Sequence, residues 1–201
     1  AYEIPEGSRT GKGLNIVNIL PLQADEKITV MLNVKEFDES AYLCMVTRKG
    51  VIKRTLLGSY NTSRKGGIIA INLDEDDELR WVKLTSGNDD VLVATHMGKA
   101  IRFNENDARP LGRTARGVKA MNIADGDEVV GVAVVDDSKL LLTVSENGKG
   151  RRSRFSDYRV QSRGGMGLTN YKVAKYGPVA AIQTVGDDQD AIIIRDDGII
   201  I

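Results

Sequence analysis

The 201-residue sequence has one cysteine, one histidine, one tryptophan and three phenylalanines, and each scarcity closes a route. Cys44 alone makes no internal disulfide, and the run Tyr42-Leu43-Cys44-Met45-Val46 around it predicts a buried structural thiol. One histidine and one cysteine cannot supply a Cys/His zinc site. His96, at a strand end beside Met97-Gly98, reads as a surface residue, and no spacing ties it to a serine and an acid as a triad requires. Trp81 reads as core. Aromatics make up 5% of the chain and the six tyrosines share no common phase, which is poor material for stacking single-stranded bases. There is no Gly-x-x-x-x-Gly-Lys-Ser/Thr loop, and the nearest approach to Gly-x-Gly-x-x-Gly, Gly165-Met166-Gly167-Leu168-Thr169-Asn170, lacks the last glycine. No apolar run approaches the roughly 20 residues of a membrane span. The opening residues lack the basic and apolar regions of a signal peptide, so export is not expected. These gaps predict a chain with no catalytic site, bound cofactor or metal.

What the sequence does have is glycine on a fixed period. The stretch Gly112-Arg113-Thr114-Ala115-Arg116-Gly117-Val118 recurs as Ser8-Arg9-Thr10-Gly11-Lys12-Gly13, Ser63-Arg64-Lys65-Gly66-Gly67 and Ser162-Arg163-Gly164-Gly165-Met166-Gly167. Its closing glycines, Gly13, Gly67, Gly117 and Gly167, are spaced by 54, 50 and 50 residues. A second set, Gly50, Gly98, Gly148 and Gly198, is spaced by 48, 50 and 50. A period near 50 suits one four-stranded unit and is too long for ankyrin or leucine-rich repeats. The expected fold is therefore all-β, a propeller-like array of four-stranded blades over residues 1–60, 61–110, 111–160 and 161–201, forming one domain.

In the second period the strands read as 67–73, 79–84, 91–95 and 100–103, rich in β-branched and apolar residues between Asp-, Asn- and Gly-containing segments. The last two strands of each period join through Lys49-Gly50, Met97-Gly98, Asn147-Gly148 and Asp197-Gly198, read as tight hairpins with both turn residues at positive φ. Acidic segments such as Asp74-Glu75-Asp76-Asp77-Glu78 and Asp125-Gly126-Asp127-Glu128 read as solvated connections. They lack the twelve-residue calcium-loop pattern. The chain ends on Ile199-Ile200-Ile201, which reads as a fragment of a longer domain.

Net charge is zero, but the charges are segregated. The four glycine-basic stretches and the four strands around the second glycine set hold 19 of the 28 Lys and Arg and only two acids, Asp196 and Asp197. Lys53 and Arg54, Arg102, and Arg151 and Arg152 recur at one level of successive blades. In a ring of blades they would form a cationic rim. Distributed cations beside glycines suit sequence-independent phosphate contact, by side chains and by backbone N–H groups. The candidate DNA-binding residues are Arg64, Lys65, Arg113, Arg116, Lys119 and Arg163, followed by Arg9, Lys12, Lys53, Arg54, Arg102, Arg151 and Arg152.

The opening Tyr2-Glu3-Ile4-Pro5-Glu6-Gly7-Ser8-Arg9-Thr10-Gly11-Lys12-Gly13, with Ile16-Val17-Asn18 and Leu20-Pro21-Leu22, closely resembles the C-terminal domain of the DNA gyrase A subunit. So do the Gly-x-x-(Val/Ile)-x-Arg/Lys hairpins and the Arg-Thr-Ala-Arg-Gly-Val turn. The resemblance implies a six-bladed β-pinwheel that exchanges strands between neighbours, of which about four repeats are present. It implies a basic perimeter that wraps duplex DNA so that the enzyme introduces negative supercoils. It places the cleavage tyrosine in a preceding region, and ATP with Mg2+ on the B subunit. The implied partners are duplex DNA, gyrase B subunits and a second gyrase A subunit, in the bacterial cytoplasm on the nucleoid. The family's gyrase box, Gln-Arg-Arg-Gly-Gly-Lys-Gly, is matched only by Gln161-Ser162-Arg163-Gly164-Gly165-Met166-Gly167, which departs at Ser162 and Met166. Two alternatives stand beside this reading: the related pinwheel of the topoisomerase IV A subunit, which lacks the box, and a propeller that binds protein.

Overall fold

The computed structural model describes residues 6–23, 26–64, 66–194 and 198. The strands expected at 195–201 and the hairpin at Asp197 lie outside the described residues. Among the described residues eleven strands form three antiparallel sheets. The first sheet is built on the hairpin β1 (Tyr42–Thr47) and β2 (Val51–Leu56), with β3 (Leu79–Thr85) beside β1 and the two-residue β6 (Val118–Lys119) beside β2. The second repeats the plan with β4 (Asp90–Thr95), β5 (Lys99–Asn104), β7 (Val129–Val134) and β10 (Leu168–Thr169). The third holds β8 (Leu140–Ser145), β9 (Gly150–Arg154) and β11 (Val179–Val185). The one α-helical turn among the described residues is α1 (Val173–Tyr176).

Each sheet borrows strands from later in the chain, so sheet membership cuts across the 50-residue ranges read from the sequence. Of the strands expected in 61–110, the one at 79–84 joins the first sheet, and those at 91–95 and 100–103 form the hairpin of the second. The strand expected at 67–73 does not form; Asn72 N–H instead donates to Ala115 O in the next basic turn.

The hairpins close through three-residue loops, not the two-residue turns expected from the sequence. Gly50 N–H donates to Thr47 O, Gly98 N–H to Thr95 O and Gly148 N–H to Ser145 O. Only the glycine of each loop has positive φ, so these are turns ended by a left-handed residue, not two-residue mirror-image turns. The acidic connections are not simply solvated. The Asp77 carboxylate accepts from Lys49 N at 2.9 Å and Glu78 N at 2.8 Å, and Asp127 does the same with Met97 N and Glu128 N. Each therefore caps the hairpin tip of the preceding sheet.

The apolar run of β4 reflects burial on both faces. Val91 and Val93 point into a core shared with the first sheet, beside Val46, Ile52, Ile101, Phe103 and Met121, with Trp81 half-buried against it. Leu92 and Ala94 point the other way, into a core with Leu141, Phe155, Tyr158, Tyr171 and Val179. At roughly 25 cal/mol per Å2 of apolar surface removed from water, these two shared cores are what hold neighbouring sheets together.

Candidate nucleic-acid interface

The glycine-basic turns closing at Gly117 and Gly167 are delivered to the sheet edges by the exchanged strands. β6 pairs Val118 with Ile52 and Lys119 with Val51, and β10 pairs Leu168 with Ala100 and Thr169 with Lys99. The closing glycines are required there twice over. Gly117 has φ 106°, and a Cβ on it would lie 2.7 Å from Ile52 O; Gly167 has φ 70°, and its Cβ would lie 2.5 Å from Ala100 O. At these two positions any side chain would push the basic turn off the sheet, whereas at Gly13 and Gly67 a Cβ meets nothing and only the positive φ favours glycine.

The turns closing at Gly67, Gly117 and Gly167 are linked by hydrogen bonds into a belt. Asn72 N–H donates to Ala115 O and, fifty residues on, Asn122 N–H donates to Gly165 O. Arg113 Nη1 donates to Ile69 O at 3.1 Å, and Arg163 Nη1 donates to the equivalent carbonyl, Lys119 O. Arg163 is further held by Asp107, through its Nε to the carbonyl and its backbone N–H to the carboxylate. Arg113 and Arg163 are half-buried as a result, while Arg64, Arg116 and Lys119 are exposed. Arg116 pairs with Asp74 yet keeps 64% of its side chain accessible. Arg9 and Lys12 are exposed on a turn closed by Gly11 N–H to Ser8 O. Lys65 lies outside the described residues.

The cationic rim expected from the hairpin strands is corrected by the structure. Lys53 is fully buried, its Nζ donating to Ala70 O at 2.6 Å and to Arg113 O. Burial, and then the nearby Arg113 guanidinium, push the Lys53 ammonium down to about 8. Arg54 is buried as well, paired with Glu105 at 3.2 Å, donating to Gly87 O and stacked over the Tyr42 ring. Arg102 keeps 12% of its side chain accessible, and it is taken up by Asp90 at 2.8 Å, Phe155 O at 3.0 Å and Asp137 at 3.4 Å. Lys53 and Arg54 are shut off from solvent, and Arg102 is engaged by three partners inside the fold. The physical reason is strand exchange: these hairpins are covered by later segments of the chain. Arg152 repeats the Arg102 pattern by pairing with Asp187, also 35 residues downstream, but it remains exposed, as does Arg151.

Two cations escaped the sequence reading. Arg109 and Arg159, fifty residues apart, are exposed beside residues 110 and 160, which bridge to the backbones of Arg54 and Arg102. Their spacing was the available signal. Elsewhere His96 Nε2 lies 3.0 Å from Glu146 Oε1 at the equivalent position of the next hairpin. Among the described residues no group of three or more His, Cys, Asp or Glu is placed to hold a metal ion, and no helix is long and apolar enough to cross a membrane.

Hairpins completed by strands from later repeats, with basic glycine turns bonded along their edges, define a strand-exchanged β-repeat domain of the pinwheel type. The chain belongs to the DNA gyrase C-terminal domain family, described as a beta-propeller, whose profile matches residues 1–35, 41–86, 89–136 and 139–185. The segment 41–86 carries β1, β2 and β3 of the first sheet, whereas the exchanged β6 and β10 fall in the segments that follow their own sheets. The DNA gyrase A subunit of Clostridium acetobutylicum is 56% identical over 119 residues, and that of Synechocystis sp. is 46% identical over 121. Each match covers 59% of this chain and 14% of the relative. The solved C-terminal domain of DNA topoisomerase IV superposes with a TM-score of 0.90 at 26% identity, over 99% of this chain and 63% of that one. A DNA gyrase A C-terminal domain gives 0.79 at 30% identity, over 91% and 62%.

Proposed function

We propose that residues 1–201 act as one DNA-binding unit of a gyrase A subunit, bending duplex DNA along the belt of glycine-basic turns to direct ATP-dependent negative supercoiling. The observation that carries this reading is the belt itself. Basic turns recur about every fifty residues, and the last three are bonded in series, with Arg113 reaching Ile69 O and Arg163 reaching Lys119 O. Bending costs on the order of 1–6 kcal/mol over 20–30 base pairs, so many weak phosphate contacts must be held along one curved path. A bonded series of turns provides such a path. The contacts are Arg9, Lys12, Arg64, Lys65, Arg113, Arg116, Lys119, Arg151, Arg152 and Arg163, joined by Arg109 and Arg159. Backbone N–H groups beside the glycines add further donors.

In this reading the chain does no chemistry. Strand cleavage belongs to another region of the parent protein, and ATP with Mg2+ belongs to the B subunit. The partners are duplex DNA, B subunits and a second A subunit, on the nucleoid in the cytoplasm. A topoisomerase IV role is the second reading, and the TM-score of 0.90 to that enzyme's domain favours it. The test is the linking number of a relaxed plasmid closed by a nicking-closing enzyme in the presence of this chain. A shift of one sign that grows with protein concentration supports wrapping; no shift contradicts it.

A further inference from the structure

The two junctions of the belt are built from unequal parts. At the later one, Gly164 N–H donates to Ala120 O at 2.8 Å, so a backbone bond joins the turn to the strand segment before it. At the earlier one, the equivalent carbonyl is Ala70 O. It accepts from the Lys53 ammonium at 2.6 Å and from Tyr60 OH at 3.3 Å, and the same ammonium donates to Arg113 O. Lys53 therefore ties residue 70 to residue 113 where the later junction uses the backbone. Its counterpart in the second sheet is Ile101, an apolar side chain lying under Gly165. An apolar residue thus fills this position where the backbone bond is made.

We propose that Lys53 is a positioning residue for DNA bending, holding the 112–117 turn at a fixed offset from residues 63–74 by bridging the carbonyls of Ala70 and Arg113. The proposal rests on the reading of these turns as phosphate contacts. Lys53 has no accessible surface and cannot touch DNA itself. Its charge is met by carbonyl oxygens and not by a carboxylate, an arrangement a core does not adopt for stability alone, since burying a charge is costly and apolar residues fill space better. What the bridge supplies is geometry. Contacts on successive turns reinforce each other only while their spacing matches the DNA, and that gain disappears when the offset is lost.

The test compares wild type with Lys53→Met, which keeps the length and loses the donors. Nitroxides on Ser63→Cys and Thr114→Cys, both exposed positions, report the offset between turns. End-to-end energy transfer on a duplex of about 30 base pairs reports bending, and a duplex about half that length, too short to bend around two turns, reports single-turn affinity. The proposal expects the label distance to broaden in the variant and the long duplex to bind about tenfold more weakly and straighten, with short-duplex affinity kept within about twofold. An unchanged distance and bend, or an equal loss on both duplexes, overturns it. If Lys53→Met does not fold, Lys53→Gln, with one donor amide, carries the same comparison. A wild type that bends no duplex removes the DNA reading itself, and the proposal with it; a wild type that bends DNA beside an unaltered variant removes the Lys53 role alone.

Discussion

Arg54 in the first sheet meets Glu105 at the end of the second sheet's hairpin at 3.2 Å, with 4% and 0% of the two side chains accessible. Glu105 also accepts from Thr85 Oγ1, Gly87 N and Asp89 N, so its charge is satisfied from both sheets. Arg54→Met leaves that carboxylate without its countercharge and is expected to cost about 3–5 kcal/mol, read by urea unfolding. Arg54→Leu with Glu105→Leu recovers part of the loss, and the shortfall is set by the N–H groups of Gly87 and Asp89. A loss within about 0.5 kcal/mol for Arg54→Met would show that the pair contributes nothing.

A second relationship repeats through the sheets with changing residues. Thr55 lies beside Tyr60 and Ser153 beside Tyr158, whereas the middle repeat has Phe103 with Ala108. Large on the strand goes with small on the loop. Phe103→Ser is expected to cost about 3–5 kcal/mol and Ala108→Tyr about 1–3 kcal/mol. The double variant should recover by a coupling of about 0.5–3 kcal/mol. Strict additivity in thermal unfolding would reject the compensation.

The hairpin positions and the glycine turns could be read from the sequence because each depends on neighbouring residues. Strand exchange could not, because pairing β6 to β2 depends on residues more than sixty positions apart. The burial of Lys53 and Arg54 followed from that exchange and was missed with it. One local signal was available: Glu105 stands where the neighbouring repeats have Leu57 and Phe155, all three buried. A carboxylate at an apolar repeat position marks a buried cation partner.

Lys53 gives the fold a specific pH response. Its ammonium is held down at about 8 from an ordinary 10.5, so between those values the unfolded chain binds the proton more tightly. Stability from this group is therefore fully present above about 10.5 and is lost as pH falls through 8. Wild type should gain stability relative to Lys53→Met as pH rises from 7.5 to 10 in parallel urea titrations. A difference that stays flat would mean that Lys53 titrates normally.

Burial, followed by the Glu105 charge and partly offset by Arg54, pushes the Cys44 thiol up to about 12. The native protein should resist iodoacetamide at pH 8.5 and take up one equivalent only after denaturation. Labelling of the folded protein at the rate of a free thiol would place Cys44 outside the core.

Arg116 and Lys119 are exposed cations of one turn, and neither anchors the belt through its side chain to a backbone carbonyl. Arg116→Gln with Lys119→Gln should leave the unfolding midpoint nearly unchanged while weakening duplex binding. The slope of log affinity against log salt should fall by up to about 0.9 for each phosphate no longer engaged. An unchanged slope would remove both residues from the interface.

The central claim, sequence-independent phosphate contact along the belt, is tested most directly by titrating wild-type protein with a mixed-sequence duplex of about 30 base pairs over a series of salt concentrations. The account predicts binding at low salt and a steep, linear fall of log affinity with log salt, with a slope of about −0.9 times the number of phosphates engaged. A flat response, or no binding at the lowest salt, would contradict it.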